Sequence, residues 1–127
     1  MTSINASNTT EFFDQYVRVW NEPDPDTRKK LVARLWASDA VEYTELHEYQ
    51  GHDALDERVT AAHVKFVEEG GNVFRLEADP ATHHGAVLIS VEMVPRTGGE
   101  PAWAGTIIAF LDGDGRIERE YQFGRNA

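Results

Sequence analysis

Residues Ala86–Phe123 read AVLISVEMVPRTGGEPAWAGTIIAFLDGDGRIEREYQF, and this stretch decides the fold. Apolar residues alternate with other residues along 87–93 and 103–111, as they do in strands that bury one face. Residues 96–101 and 112–115 separate these segments and are rich in Gly, Pro and Asp, which favour turns. The pattern predicts a meander of three consecutive antiparallel strands.

Helical patterns lie before this meander. Three apolar stripes at helical spacing consist of Phe12, Phe13, Tyr16, Val17 and Trp20, of Leu31, Val32, Leu35 and Trp36, and of Leu55, Val59, Ala62, Phe66 and Val67. Ala40–Leu46 alternates with period two and is predicted as a strand, and Asp53 is predicted to cap the third helix. Helices followed by antiparallel strands predict an α+β domain in which the helices cover one face of a curved sheet.

Composition limits the class of protein. The 127 residues contain no internal linker, so a single domain over 1–127 is expected. Twelve Lys and Arg against 22 Asp and Glu give a net charge of -10, which disfavours nucleic acids and anionic membranes as partners. There is no cysteine, which excludes disulfides and thiolate chemistry. Met1–Asn8 is polar, without the apolar run of a signal peptide or membrane span, so a cytoplasmic location is expected.

No motif for a metal or a cofactor is found in the sequence. His47, Glu48 and His52 lack the i, i+4 histidine spacing of a helical zinc site. His83 and His84 are neighbours, whose side chains point in opposite directions in an extended chain. Glycine-rich phosphate-binding and dinucleotide-binding motifs are also absent. We therefore predict neither a bound metal nor a cofactor.

The element order resembles that of the nuclear transport factor 2-like superfamily. Short strings strengthen the likeness to its ketosteroid isomerase and SnoaL-like polyketide cyclase branches: Tyr16, Ala40-Val41-Glu42, Gly51, Val91-Glu92-Met93-Val94 and Gly115-Arg116-Ile117. The resemblance implies a cone-shaped, cystatin-like domain whose curved sheet wraps around helices and leaves a deep apolar pocket. It also implies pairing through the outer sheet face. On that face Ile108, Phe110, Tyr121 and Phe123 would form an apolar patch, so we predict a homodimer.

The resemblance gives different answers for the two branches. Tyr16 stands where the ketosteroid isomerases have their oxyanion-binding tyrosine, but Thr44 and Ile107 stand where they have two aspartic acids. Steroid isomerisation is therefore not expected. The SnoaL-like cyclases use an acid or a histidine on the last strand, which implies that Glu120 and Gln122 face the pocket. A glutamate on an apolar wall would have a raised pKa and would suit acid–base chemistry.

Three assignments stay open at this point. The apolar pattern slightly favours Tyr121 and Phe123 inward with Glu120 in solvent, whereas the resemblance favours Glu120 inward. His63 either lines the pocket as a base or hydrogen-bond donor or is a packed core histidine. Glu45, which shares a face of the first strand with Tyr43, is either a pocket acid or a group at a dimer edge or in solvent.

Two functions are compatible with these patterns. The first is a cofactor-independent enzyme of the isomerase, cyclase or dehydratase kind that acts on a small hydrophobic substrate. The second is a non-catalytic ligand-binding or dimerisation module. The candidate catalytic residues are Glu120, His63, Tyr16 and Glu45, and the candidate pocket residues are Trp20, Tyr43, Val59, Phe66, Met93, Trp103, Ile107 and Gln122.

Overall fold

A computed structural model describes residues 6–125, with side chains from residue 10 onward. Residues 1–5, on which the expectation of a missing signal peptide largely depends, lie outside the described residues. The elements are α1 (Ala6–Asn21), α2 (Pro25–Leu35), β1 (Trp36–Tyr43), β2 (Glu48–Gln50), α3 (Gly51–Ala62), which continues as a π-helix (His63–Glu69), β3 (Asn72–Leu76), β4 (Ala81–His83), β5 (Ala86–Pro95), β6 (Trp103–Leu111) and β7 (Ile117–Arg125). No helix among them is long and apolar enough to cross a membrane.

The strands form one curved sheet that does not close into a barrel. Its order is β2-β1-β7-β6-β5-β3, and β4 pairs with β5 beside this path. The predicted meander is confirmed, because β6 pairs antiparallel with both β5 and β7. β1 pairs parallel with β7. Helical and strand side chains share one hydrophobic core on one face of the sheet, which confirms the α+β class.

The second helix is one residue shorter than its apolar stripe predicts. It ends at Leu35, and Trp36 has extended backbone angles, with φ of -108° and ψ of 140°. Trp36 is nevertheless fully buried, because as the first residue of β1 it packs against the rings of Tyr16 and Trp20. The strand predicted at Ala40–Leu46 accordingly begins earlier and ends earlier, at Tyr43.

A β-bulge decides which side chains of β7 face the interior. The pairing of β7 with β6 shifts between Ile117 and Arg119, so β7 contains one extra residue, Glu118. Strict alternation would put Glu120 on the opposite face from Ile117, but the bulge buries both of them completely. The phase that the sequence left open is therefore inward for Glu120 and outward for Tyr121.

The third helix begins directly after β2. Gly51 opens it with φ of +87°, a conformation that side chains disfavour and that lets the chain turn from strand into helix. Gln50 occupies the N-cap position, so Asp53 lies in the first turn and is not the cap that the sequence predicts. The π-helical continuation buries His63 and Val67 beneath the end of the helix.

Asn21, at the end of α1, holds the edge strand β3 against the helix. Its amide nitrogen donates to the Phe74 carbonyl and its amide oxygen accepts from the Phe74 N–H, each at 2.8 Å. Asn21→Leu leaves both backbone groups of Phe74 without these partners, and we expect urea unfolding to show a loss of about 1–3 kcal/mol. Gln15→Leu removes only a surface contact with Glu11 and should change stability by less than about 0.5 kcal/mol. Equal losses in the two variants would contradict this assignment.

Candidate functional site

A cavity of about 400 Å³ lies between the helices and the sheet. This volume is within the range of small-molecule sites, roughly 300–1,000 Å³. Its walls are mainly apolar, and its aromatic lining consists of Tyr16, Trp20, Tyr49, Phe66, Phe74 and Trp103. The polar groups that reach it besides the tyrosines are Thr44, His47, Arg58 and Gln122. An apolar cavity with a few convergent polar groups is the usual form of a ligand site.

Trp103 forms part of the wall because Gly105 leaves room for its ring. The two residues are two positions apart on β6 and therefore share a strand face. A Cβ atom added at Gly105 would overlap the six-membered ring of Trp103. The small residue thus lets the indole lie flat along the strand and border the cavity.

Tyr16 connects the cavity to a carboxyl group behind its wall. The Tyr16 hydroxyl lies 2.7 Å from Glu120 Oε2, and the Trp36 indole N–H donates to Glu120 Oε1 at 2.6 Å. All three side chains are buried. Glu120 is not a wall residue, whereas Tyr16 is. A ligand in the cavity would therefore meet the Tyr16 hydroxyl, with Glu120 one hydrogen bond away.

A second carboxyl group faces Glu120. Glu42 on β1 is the register partner of Glu120 on β7, so their side chains project from neighbouring positions of parallel strands. Glu42 is also fully buried, and its Oε1 accepts from Arg58 Nε at 3.0 Å. Its Oε2 has no donor among residues 6–125. Glu42 is therefore a second buried carboxyl group, and its charge acts on Glu120.

Burial and the charge of Glu42 favour the neutral forms of Glu120 and Tyr16. Burial raises the pKa of the Glu120 carboxyl well above its ordinary value of 4.5, and the charge of Glu42 raises it further. The hydrogen bonds from Tyr16 and Trp36 oppose this rise but do not cancel it. Burial also raises the pKa of the Tyr16 phenol, and the neighbouring carboxylates add to the effect. Tyr16 is therefore a phenol that donates hydrogen bonds and not a tyrosinate base.

Arg58 joins the carboxyl pair to the cavity. While its Nε binds Glu42, its Nη2 points toward Gln122 Oε1 at 3.4 Å. The guanidinium carbon lies 5.2 Å from the Trp20 ring centroid and 5.3 Å from that of Tyr49. Contacts with two rings and a carboxylate fix the plane of the guanidinium group.

The structure brings most of the predicted pocket residues together. The cavity lining includes the predicted Tyr16, Trp20, Phe66, Met93, Trp103, Ile107 and Gln122. Glu120 lies next to Tyr16, as predicted, but one layer behind the wall. Acid–base contact between Glu120 and a ligand would thus pass through Tyr16.

Four residues predicted for the site, His63, Glu45, Tyr43 and Val59, are not part of the cavity wall. His63 is buried in the core with Nδ1 at 2.9 Å from the Trp20 carbonyl oxygen. Glu45 is exposed, and its Oε1 accepts from a backbone N–H near the end of β7 at 2.8 Å. Tyr43 faces outward and stacks on Tyr121, with ring centroids 5.0 Å apart. Val59 is a core residue of α3.

Arg58 was missed as a site residue, and Glu42 was considered only as a substitute base for steroid isomerisation in case the register of its strand shifted. Arg58 lies beside Val59 in α3, where a charged residue normally faces solvent. Glu42 alternates with the buried Ala40 on β1, and this period-two spacing could have indicated that it points inward. The bulge that brings Glu120 opposite Glu42 has no comparable signal in the sequence.

All five histidines of the chain lie among residues 6–125. No group of three or more His, Asp or Glu side chains in this range is arranged to hold a metal ion. The Nδ1 atoms of His83 and His84 lie 3.0 Å apart on an exposed turn. His84 has φ of +51°, which turns its side chain toward that of His83 despite their being neighbours in sequence.

Comparison with known proteins identifies the fold. No family model and no curated protein matches the chain. Among solved structures, a proposed isomerase of the SnoaL-like family from Agrobacterium tumefaciens is 26% identical, with a TM-score of 0.82 over 92% of this chain and 97% of that one. A proposed polyketide cyclase from Sinorhizobium meliloti is 20% identical, with a TM-score of 0.64 over 94% and 99%.

A third structure extends the likeness to the cystatin-like description of the fold. This protein of unknown function from Methylobium petroleophilum is 15% identical, with a TM-score of 0.74 over 99% of this chain and 81% of that one. The resemblance to SnoaL-like proteins is confirmed by the first of these structures, and the predicted fold is confirmed by similar structures described as cystatin-like and nuclear transport factor 2-like. The solved structures that are similar to this chain thus include a proposed isomerase and a proposed cyclase.

The raised pKa of Glu120 predicts how stability depends on pH. The folded chain holds this proton more tightly than the unfolded chain, so the proton contributes to the stability of the fold. This contribution is complete below about pH 4.5 and is lost as pH rises toward the raised pKa. Glu120→Gln removes the titration. The amide oxygen can accept from Trp36, and the amide nitrogen can donate to the Tyr16 oxygen and to Glu42. We therefore expect urea unfolding to show that this variant gains stability over the wild type as pH rises above about 4.5, the ordinary pKa of the carboxyl group.

The matched control is Glu118→Gln. Glu118 is exposed on the same strand, and its replacement should leave the pH dependence of unfolding as in the wild type. If Glu120→Gln and the wild type gave parallel profiles of unfolding free energy against pH, Glu120 would not carry the proton that we assign to it.

Proposed function

We propose that this chain, which has the nuclear transport factor 2-like fold, is a cofactor-independent enzyme of the isomerase or cyclase kind acting on a small hydrophobic molecule. The observation that carries the proposal is the 2.7 Å hydrogen bond between Tyr16, on the cavity wall, and Glu120, behind it. It connects a buried, protonated carboxyl group to an apolar cavity. The likeness to a SnoaL-like protein proposed to be an isomerase supports the same kind of chemistry.

In this mechanism Tyr16 is the proton donor and Glu120 supplies the proton. The phenol gives its hydrogen to a substrate oxygen and takes the hydrogen of Glu120 at the same time. Either direction of donation suits the 2.7 Å separation, because a phenol both donates and accepts. Glu120 is then a carboxylate that accepts from Tyr16 and Trp36. Return of the proton along the same path restores the resting state.

Burial makes such a relay useful near neutral pH. An ordinary carboxylic acid is ionised at pH 7 and has no proton to give. Glu120 retains its proton because ionisation would place a second buried charge beside Glu42. A phenol whose pKa is raised donates poorly by itself, so simultaneous transfer from Glu120 avoids forming a buried phenolate.

A non-catalytic ligand-binding module is the second candidate, and one observation favours it. Glu120 does not border the cavity, and each of its oxygens already has a donor, as in a purely structural buried acid. In that case hydrophobic ligands would bind without being converted. The two functions differ in whether loss of the Glu120 proton changes a rate or only the stability.

Turnover by variants tests the enzyme proposal. A screen of polyketides, terpenoids and steroids supplies the substrate, monitored by mass spectrometry. We expect Glu120→Gln and Tyr16→Phe each to lower kcat by about 10²–10⁴-fold, because each interrupts proton transfer. Binding of the substrate should change much less, since neither variant alters the apolar walls.

Two controls lie on the opposite face of the same strand region. Tyr121→Phe removes a hydroxyl from the outer face, and Glu118→Gln removes an exposed carboxylate. Both should retain wild-type kcat. Full activity of Glu120→Gln would exclude the relay, and ligand binding without conversion of any compound in the screen would favour the binding module.

We also propose that the chain forms a homodimer through the outer face of the sheet. Leu88, Ile108, Tyr121 and Tyr43 form one row across β5, β6, β7 and β1. Leu88 is 45% exposed, and Phe123, farther along β7, is 50% exposed. A contiguous apolar surface of this kind on a sheet is typical of protein interfaces.

Sedimentation tests the proposed dimer. The wild type should sediment as twice the chain mass of 14.3 kDa at micromolar concentration. Ile108→Glu places a charge in the middle of the row and should give monomers. Leu46→Glu changes a residue that is 86% exposed on the loop after β1 and is not part of the row, and it should leave the dimer intact. A wild-type monomer would contradict the proposal.

A further inference from the structure

The charge of the cavity wall is unusual for a protein with a net charge of -10. Among the wall residues in the described part of the chain, Arg58 is the only one with a permanent charge, and no carboxylate is present. Glu42 and Glu120 lie behind the wall. The acidic outer surface is screened by salt over about 8 Å, whereas Arg58 acts at contact distance. A ligand therefore meets a positive group inside an apolar chamber.

The hydrogen-bonding capacity of Arg58 is only partly used. Its Nε donates to Glu42, and one Nη2 proton is directed toward Gln122 at the long distance of 3.4 Å. Within residues 6–125, the two Nη1 protons and the second Nη2 proton have no acceptor. The Nη1 and Nη2 protons at the end of a guanidinium group are parallel and match the two oxygens of a carboxylate.

The surroundings keep this end of the guanidinium group in place. Its side chain is only 17% exposed, and its plane is held by Glu42 and by the Trp20 and Tyr49 rings. A fixed donor pair loses little rotational freedom when a ligand binds. Several aromatic rings border the same chamber and would cover a flat apolar body.

We propose that the cavity binds a small aromatic or unsaturated carboxylic acid, whose carboxylate pairs with the Nη1–Nη2 edge of Arg58 while its apolar body lies among the aromatic walls. This inference names the ligand class of the same cavity and rests on the proposed function only in taking that cavity as the binding site. It does not depend on whether the ligand is converted.

The charges near Arg58 are compatible with such a ligand. From β1, Glu42 accepts from the guanidinium group, and from β7, Glu120 faces Glu42 with a pKa that burial and the Glu42 charge raise. From α1 and β2, the nearby titratable groups are the phenols Tyr16 and Tyr49. Near the mouth, His47 stacks on Tyr49 with centroids 6.0 Å apart. Because Glu42 accepts only from Arg58 Nε, the remaining Nη1 and Nη2 protons can donate to the carboxylate of a ligand.

Equilibrium binding of a matched pair of probes tests the inference. The probes are 2-naphthoate and 2-naphthamide, which have the same ring system and differ in charge, measured by calorimetry at pH 7. In the wild type we expect the acid to bind about tenfold more tightly than the amide, or better. Arg58→Met should abolish this preference while the amide keeps its affinity, because the apolar walls remain.

A second variant guards against misfolding. Arg58→Met leaves Glu42 buried without its cation, whereas the double variant Arg58→Met with Glu42→Gln removes both charges. The matched control is Arg119→Met, which removes an arginine stacked on Phe110 at the outer face and should retain the preference. The inference is overturned if neither probe binds the wild type, if the two probes bind equally, or if the folded Arg58 variants still prefer the acid.

This experiment separates the ligand class from the catalytic proposal. Glu120→Gln should retain the preference for the acid, because the contact with Arg58 does not use the Glu120 proton. A protein that prefers 2-naphthoate through Arg58 but converts no compound would have the inferred subsite without the proposed activity. A protein that converts a substrate but binds the two probes equally would have the proposed activity without the inferred subsite.

Discussion

Two fully buried carboxyl groups on adjacent parallel strands constrain the rest of this structure. Glu42 and Glu120 are register partners and lie side by side, so both carboxyl groups are buried between the same two strands and the helices. An uncompensated buried carboxylate costs several kcal/mol, and the neighbouring elements supply the compensation. The phenol comes from α1, the indole from the start of β1 and the guanidinium from α3. The positions of two helices are thus tied to the register of two strands.

The order of elements was predictable because the signals for it are local. Alternation and glycine-rich turns mark the meander without any knowledge of its partners. Trp36 shows where local reasoning reaches its limit. Its apolar side chain fits the helical repeat of α2, yet its burial comes from the interior face of β1. A buried tryptophan fits both the helical repeat of α2 and the alternation of β1, so only the backbone conformation shows to which element Trp36 belongs.

The site was predictable in part, and the resemblance contributed more than the pattern. Tyr16 and Glu120 were singled out from matching strings, whereas strict alternation gave no inward position for Glu120 after Ile117. A single extra residue, Glu118, reverses the phase of the strand, and such bulges depend on pairing across the sheet. Arg58 was missed because it binds Glu42, 16 positions earlier, on a helix where Asp53 and Glu57 are exposed. His63 is buried as one open alternative allowed, since its ring is needed at the Trp20 carbonyl.

The carboxyl pair also links the two polar contacts that a ligand can make in the cavity. Arg58 reaches the cavity from Glu42, and Tyr16 reaches it from Glu120. A negative charge at Arg58 weakens the hold of the guanidinium group on Glu42 and so increases the proton affinity of the pair. Conversely, a proton taken from Glu120 through Tyr16 leaves a negative charge near Arg58 and weakens its attraction for a ligand carboxylate. Binding at one contact therefore changes the free energy of the other, and the coupling is reciprocal by thermodynamic necessity. Neither the fold nor the apolar walls produce this coupling, because it arises from two buried acids at paired positions of adjacent strands.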